Sequence, residues 1–238
     1  MRKALIVFAK KPETGKVKTR LVPPLSYEEA KELYLCFTKD SLIQYWRLSK
    51  ELCFDIFLAV TPEGSFGDFE DLIRGISEEM DIKPEINLLT QSGQDLGSRM
   101  FHAFTSVMSA KYDEAVVIGT DHPTLPDDYL RQSFSALDQE TLDAVIGPAE
   151  DGGFYLLGLK RVQLDYFNDI PWSTGKVLDH TLKKFTEKRI SFHLLPKWYD
   201  VDDRSSLSKM INDLSQLERD NRPYYSQQYL QALKNIEV

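Results

Sequence analysis

The chain has 238 residues and a formal charge of −8, with 42% hydrophobic and 28% charged residues. That length suits one domain or at most two small ones, and the composition is that of a folded protein with a full hydrophobic core. An acidic total argues against a general nucleic-acid binder, and no apolar stretch approaches the ~18 residues of a membrane span.

The charge is uneven. Residues 1–20 hold seven bases against Glu13 alone, a net +6, while the other 218 residues sum to −14. Such a block is commonly a solvated tail. Here it opens on Ala4-Leu-Ile-Val-Phe-Ala9, a continuous β-branched apolar run that predicts a buried strand. The run is too short for the h-region of a secretory signal, which takes about 7–15 apolar residues. Cys36 and Cys53 form no metal or redox spacing. Both read as reduced core residues of a cytoplasmic protein.

The block Phe8-Ala-Lys-Lys-Pro-Glu-Thr-Gly-Lys-Val-Lys-Thr-Arg-Leu21 follows directly on that strand. Gly15 permits a tight turn. Lys10, Lys16, Lys18 and Arg20 supply point charges and a bidentate fork of the kind that binds phosphate. The reading is a phosphate loop pinned to a sheet edge, and the rival is a solvated basic loop. It is not a Walker loop, because Val17 follows Gly15-Lys16 and the upstream glycine is missing.

Ser26 and Glu29 then form a capping box for a helix whose apolar face runs from Ala30 to Leu48. Strands are predicted at Phe54–Val60, Ile86–Leu89, Ala115–Ile118, Ala144–Ile146, Phe154–Leu159 and Ile190–Leu195. All of them read as covered on both faces. Further helices are predicted at Leu96–Ala110, Lys176–Arg189, Ser206–Leu217 and Tyr224–Ile236. The alternation implies an α/β fold with a mainly parallel sheet, one domain over 1–238. Ligands of such sheets bind beyond the strands' carboxyl ends. The loops Lys10–Pro24, Thr90–Asp95 and Thr120–Pro126 should therefore share one edge.

Two acidic features bear on those loops. Asp121 stands just past the strand Ala115–Ile118, in a loop stiffened by Pro123 and Pro126. A carboxylate there is either a turn residue or a ligand for Mg²⁺, which favours oxygen donors and nucleotide phosphates. Asp200, Asp202 and Asp203 precede a helix. One of them should be its N-cap, and another is available to oppose Asp121 across a metal. His102, His122, His180 and His193 lack zinc spacing. No Gly-x-Gly-x-x-Gly, His-Glu-x-x-His or Gly-x-Ser-x-Gly motif occurs.

The pattern Phe-Ala-Lys-x-Pro-x-x-Gly-x-x-Lys-Thr-Arg-Leu resembles the N-terminal signature of a bacterial glycosyltransferase-like family of the nucleotide-diphospho-sugar transferase superfamily. Further blocks follow in the family's order: Gln91-x-Gly-x-Asp-Leu-Gly-x-Arg-Met100, Gly119-Thr-Asp-His-Pro123, Asp151-Gly-Gly-Phe-Tyr-Leu-Leu-Gly158, Pro171-Trp-Ser-Thr174 and Tyr199-Asp-Val-Asp-Asp203. Phospholactate and molybdenum-cofactor guanylyltransferases are related. The resemblance implies a GT-A-like three-layer α/β sandwich with a mainly parallel mixed sheet. It also implies phosphate contacts from Lys10, Gly15, Lys18 and Arg20, with Gln91, Asp95 and Arg99 at the nucleotide end. Asp121 and Asp202 would hold Mg²⁺ or Mn²⁺, and Asp151, Gly152 and Gly153 would face the sugar or acceptor. Lys18, Arg20, Asp121 and Asp151 would carry the catalysis. Trp172 reads as a packing residue.

Many glycosyltransferases of this fold carry Asp-x-Asp at the metal loop. The triplet here is Gly119-Thr120-Asp121, which looks more like the nucleotidyltransferase branch. The leading expectation is therefore nucleotidyl transfer from a nucleoside triphosphate to a small phosphorylated acceptor, releasing pyrophosphate. Glycosyl transfer from a nucleotide sugar is the alternative, and a non-catalytic nucleotide-binding protein is the second alternative. No membrane or nucleic-acid partner is expected, and the oligomeric state is open.

Overall fold

The structure is a computed structural model that describes residues 1–217 and 223–233. Its strands are β1 (Lys3–Lys10), β2 (Phe54–Thr61), β3 (Ile86–Thr90), β4 (Glu114–Ile118), β5 (Ala144–Pro148), β6 (Phe154–Leu159) and β7 (Phe192–Leu194). They form one sheet in the order β3-β2-β1-β4-β6-β5-β7. All neighbours pair in parallel except β6, which runs antiparallel to both β4 and β5. Every strand but β6 therefore ends at the same edge.

The helices are α1 (Tyr27–Leu52), α2 (Phe66–Met80), α3 (Leu96–Ser109), α4 (Asp127–Leu137), α5 (Val177–Glu187), α6 (Arg204–Gln216) and α7 (Tyr224–Ala232). Successive side chains of a strand face opposite sides, and the sequence uses both. Leu5, Val7, Leu58 and Val116 pack against Leu42, Tyr45 and Leu48 of α1, Phe69 of α2 and Phe134 of α4. Ala4, Ile6, Ala59 and Val117 pack against Met100, Phe104 and Val107 of α3 and Phe185 of α5. The result is three layers. A third cluster, including Leu33, Tyr34 and Phe37 of α1, Leu207 and Met210 of α6, and Tyr199 and Val201, sits beyond the sheet's carboxyl edge around Val17, Leu21 and Leu25.

The Ser26–Glu29 capping box forms as the sequence predicts. Helices α2 and α4 are additional to those the sequence predicts. Gly67 and Gly75 dilute the helical signal of α2 although Phe69, Leu72, Ile73 and Ile76 keep its spacing, and α4 has only eleven residues. The outer strands β3 and β7 depart from the expected two-sided burial, because each has one neighbour and partly exposed residues. Cys53 is exposed and Cys36 only partly buried, so neither is a core thiol. Cys53 ends α1 in a left-handed conformation, outside the packed layer. The end of the helix expected at Tyr224–Ile236 lies outside the described residues.

Asp40 of α1 clasps the start of α7. Its carboxylate accepts bonds from the Tyr225 and Ser226 amides, each 2.8 Å, and from the Ser226 hydroxyl. Burial pushes its pKa from 3.8 up to about 6, outweighing the pull of those donors. A folded-state pKa above the unfolded one favours protonation in the native state. The stability this group contributes is full below about pH 4 and is lost as pH rises through about 6. The unfolding free energy of the native sequence relative to D40N should therefore fall between pH 4 and pH 7 in denaturant titrations. A flat difference would show that Asp40 does not titrate in this range.

Candidate active site

The loop after β1 is anchored by its apolar residues. Val17, Leu21 and Leu25 are buried in the cluster beyond the sheet edge. Between Val17 and the short 3-10 turn Thr19–Leu21, Lys18 adopts a left-handed backbone (φ 47°), a conformation uncommon outside glycine. Its side chain is only 4% exposed. The ammonium lies 5.6 Å from the centre of the Phe37 ring and 5.9 Å from that of Tyr34.

Facing these rings, Lys18 Nζ is ion-paired with Asp121 Oδ1 and with Asp202 Oδ1, the latter at 2.8 Å. Arg20, mostly exposed, donates to Asp202 Oδ2 at 2.8 Å. Burial opposes the charge of Lys18, but the two carboxylates outweigh it and hold its pKa well above the ordinary lysine value. Burial likewise works against ionised Asp202, and Lys18 and Arg20 more than offset it, leaving its pKa below the usual carboxylate value. Lys18, Arg20, Asp121 and Asp202 thus come together, from chain positions more than 180 residues apart.

The two acidic loops are joined independently of those charges. The Val201 amide donates to the Asp121 carbonyl at 2.8 Å. His122 is buried, its Nδ1 3.3 Å from Asp200 Oδ1 and its Nε2 3.4 Å from the Tyr45 hydroxyl. Tyr45 in turn donates to the Gly119 carbonyl at 3.2 Å. The Thr124 and Tyr199 hydroxyls are 3.0 Å apart. Of the three acids before α6, Asp203 is the N-cap, accepting from the Ser206 amide at 2.8 Å. Asp200 pairs with His122, and Asp202 is the one of the three that shares Lys18 with Asp121. The sequence leaves Asp200 open as a cap or a metal acid and reads His122 as a lone, exposed histidine; the structure instead buries His122 and pairs it with Asp200.

The other expected residues lie along the same edge with bonds of their own. Lys10 Nζ donates to the Lys16 carbonyl at 2.7 Å and so closes the basic loop, which turns at Gly15 (φ 74°). The Gln91 amide nitrogen donates to the Ala9 and Ala59 carbonyls at the ends of β1 and β2. Asp95 caps α3 through the Ser98 amide at 2.7 Å. Arg99 Nε donates to the Gly93 carbonyl at 3.2 Å. None of these four polar side chains is placed against the Lys18 cluster by a bond.

The turn between β5 and β6 forms the far side of the edge. Asp151 Oδ1 accepts from the Gly153 amide at 2.8 Å, an Asx-type turn. Gly152 has φ +90°, and a Cβ there would stand 2.1 Å from the Gly175 carbonyl oxygen. This close approach admits only glycine. Trp172 packs its indole over Gly97 and donates to the Phe167 carbonyl at 3.2 Å, so it is a packing residue.

A divalent metal fits this donor set. Two carboxylates from separate loops already converge on one point, and a positive ammonium occupies it. Among the described residues no group of three or more His, Cys, Asp or Glu forms a complete cage. Mg²⁺ is typically held by one or two carboxylates, with water and substrate phosphates completing its shell.

A family of uncharacterized proteins conserved in bacteria (DUF2064) matches residues 44–174. The fold is similar to that of a candidate nucleotide-diphospho-sugar transferase from Desulfovibrio desulfuricans G20, with 30% identity, TM-score 0.82, and 98% and 97% of the two chains covered. A cytidylyltransferase from Leptospira borgpetersenii superposes with TM-score 0.57 at 10% identity over the whole of both chains. CMP-2-keto-3-deoxy-manno-octonic acid synthetase, solved with CTP, superposes with TM-score 0.54 at 9% identity over 91% and 99% of the two chains. No curated protein sequence is significantly similar. No described helix is long and apolar enough to cross a membrane. The fold is the nucleotide-diphospho-sugar transferase fold, a three-layer α/β sandwich.

Proposed function

The chain belongs to this bacterial DUF2064 family of the nucleotide-diphospho-sugar transferase fold, and we propose that it is a divalent-metal-dependent nucleotidyltransferase. The observation that carries the reading is the convergence of Lys18, Arg20, Asp121 and Asp202 at the carboxyl edge of the sheet. Two cations and two carboxylates at one point, on the edge where ligands of such sheets bind, can hold a polyphosphate together with its metal.

In this reading a phosphate oxygen of the acceptor forms a bond to the α-phosphorus of a nucleoside triphosphate. The bond to the bridging oxygen breaks, and pyrophosphate leaves with the electron pair. An acceptor that is already an anion needs no protein base. Asp121 and Asp202 would hold Mg²⁺ or Mn²⁺, which supplies charge neutralisation on the phosphate oxygens. Lys18 and Arg20 neutralise the leaving group, and catalysis is chiefly positioning and electrostatics. Lys10, held across its loop, keeps Lys16 and Gly15 in the turn that presents them to phosphate. Gln91, Asp95 and Arg99 shape the nucleotide end of the edge. Asp151, Gly152 and Gly153 shape the acceptor end.

Glycosyl transfer is the second reading, favoured by the name carried by the D. desulfuricans relative. The products separate the two: pyrophosphate for the first, a nucleoside diphosphate for the second. A panel of nucleoside triphosphates and nucleotide sugars, each with Mg²⁺ or Mn²⁺, should include one that raises Tm by about 5–10 °C near a hundred times its Kd. A panel with no metal-dependent shift would sink the assignment.

A further inference from the structure

The ammonium of Lys18 takes the place a cation would take. It sits on Oδ1 of both Asp121 and Asp202, is almost wholly buried, and has the Phe37 and Tyr34 rings nearby. The second oxygen of Asp202 is satisfied separately by Arg20. Lys18 thus engages one oxygen of each acid, the two that converge on a single point. Two cations cannot share that point, because like charges at contact distance repel strongly.

We propose that Lys18 is a built-in counter-ion that stands in the metal position until nucleotide arrives, so that metal binding requires its ammonium to swing out onto the phosphates. The inference rests on the metal–nucleotide reading above and adds an order to it. Lysine suits the task because its charge rides on a flexible four-carbon stem while the backbone stays fixed. Here the backbone is fixed: Val17 and Leu21 are buried on either side of Lys18. Without an anion to receive it, the displaced ammonium loses two partners, and metal alone binds weakly. With a polyphosphate present the ammonium regains partners, so metal and nucleotide assist each other's binding. Such assistance is reciprocal by linkage. The site is thereby kept neutralised and closed to stray divalent ions when no substrate is bound.

The test measures Mn²⁺ binding by electron paramagnetic resonance, without nucleotide, for the native sequence, K18M and D121N. K18M should bind Mn²⁺ about tenfold or more tightly than the native protein, the modest end of what close charge pairs are worth, and D121N should bind least. A second measurement uses the unmutated protein and so does not depend on K18M folding. Amine acetylation read by peptide mass spectrometry should find Lys18 protected, and saturating Mn²⁺ should make it reactive while exposed Lys16 is unchanged. Bound Mn²⁺ with Lys18 still protected, or K18M binding no better than the native protein, overturns the counter-ion role and leaves the metal reading intact. No Mn²⁺ binding by either form overturns both.

Discussion

D121N should lower nucleotide turnover by about two to three orders of magnitude, the loss expected when one preorganised electrostatic group is removed from a reacting phosphate. The change is isosteric and removes one of the two carboxylates that meet at Lys18. The residual activity should no longer respond to Mg²⁺ over the range that saturates the native enzyme. D202N should show the same signature and also free Arg20 from its only ion pair among the described residues. Circular dichroism should report an unchanged fold in both. If D121N and D202N retain a native Mg²⁺ titration, these acids do not hold the metal.

F37A should cost about 3–5 kcal/mol of stability, the range for truncating a fully buried phenylalanine. Phe37 is wholly buried in the cluster that contains Val17 and Leu21 of the basic loop and Tyr199 and Val201 of the acidic one. One ring thus supports both the basic loop and the acidic one. F104A is the matched comparison. Phe104 is equally buried, but on the opposite face of the sheet. Both variants should lower the denaturation midpoint with little change in slope. Only F37A should also weaken metal-dependent nucleotide binding at temperatures where both remain folded. Equal effects of the two on binding would mean that the third cluster does not organise the site.

Much of this arrangement is legible in the chain itself. Continuous β-branched runs mark the central strands, because strands covered on both faces have no polar side to show. β3 and β7 carry the same signal but lie at the edges, since strand order is decided by crossovers rather than by local composition. The charge contrast between the first twenty residues and the rest leads to Lys18 and Arg20, while Asp121 is found by its place past a strand and Asp202 by the family resemblance. How each polar group spends its bonds is less legible. Asp95 and Asp203 serve as helix caps, Gln91 ties two strand ends, and Lys10 closes its own loop. Those choices depend on where a neighbouring carbonyl or amide points once the layers are packed. The pairing of His122 with Asp200 is hidden for the same reason, their positions being 78 residues apart.

The bond from the Val201 amide to the Asp121 carbonyl has a consequence for how this site can change over time. It links the two loops through main chain alone, so no exchange of side chain at 121 or 202 removes it. The spacing of the two positions is inherited separately from their chemistry. A lineage could trade an acid for an amide, or one metal preference for another, and keep the same frame around the exchange.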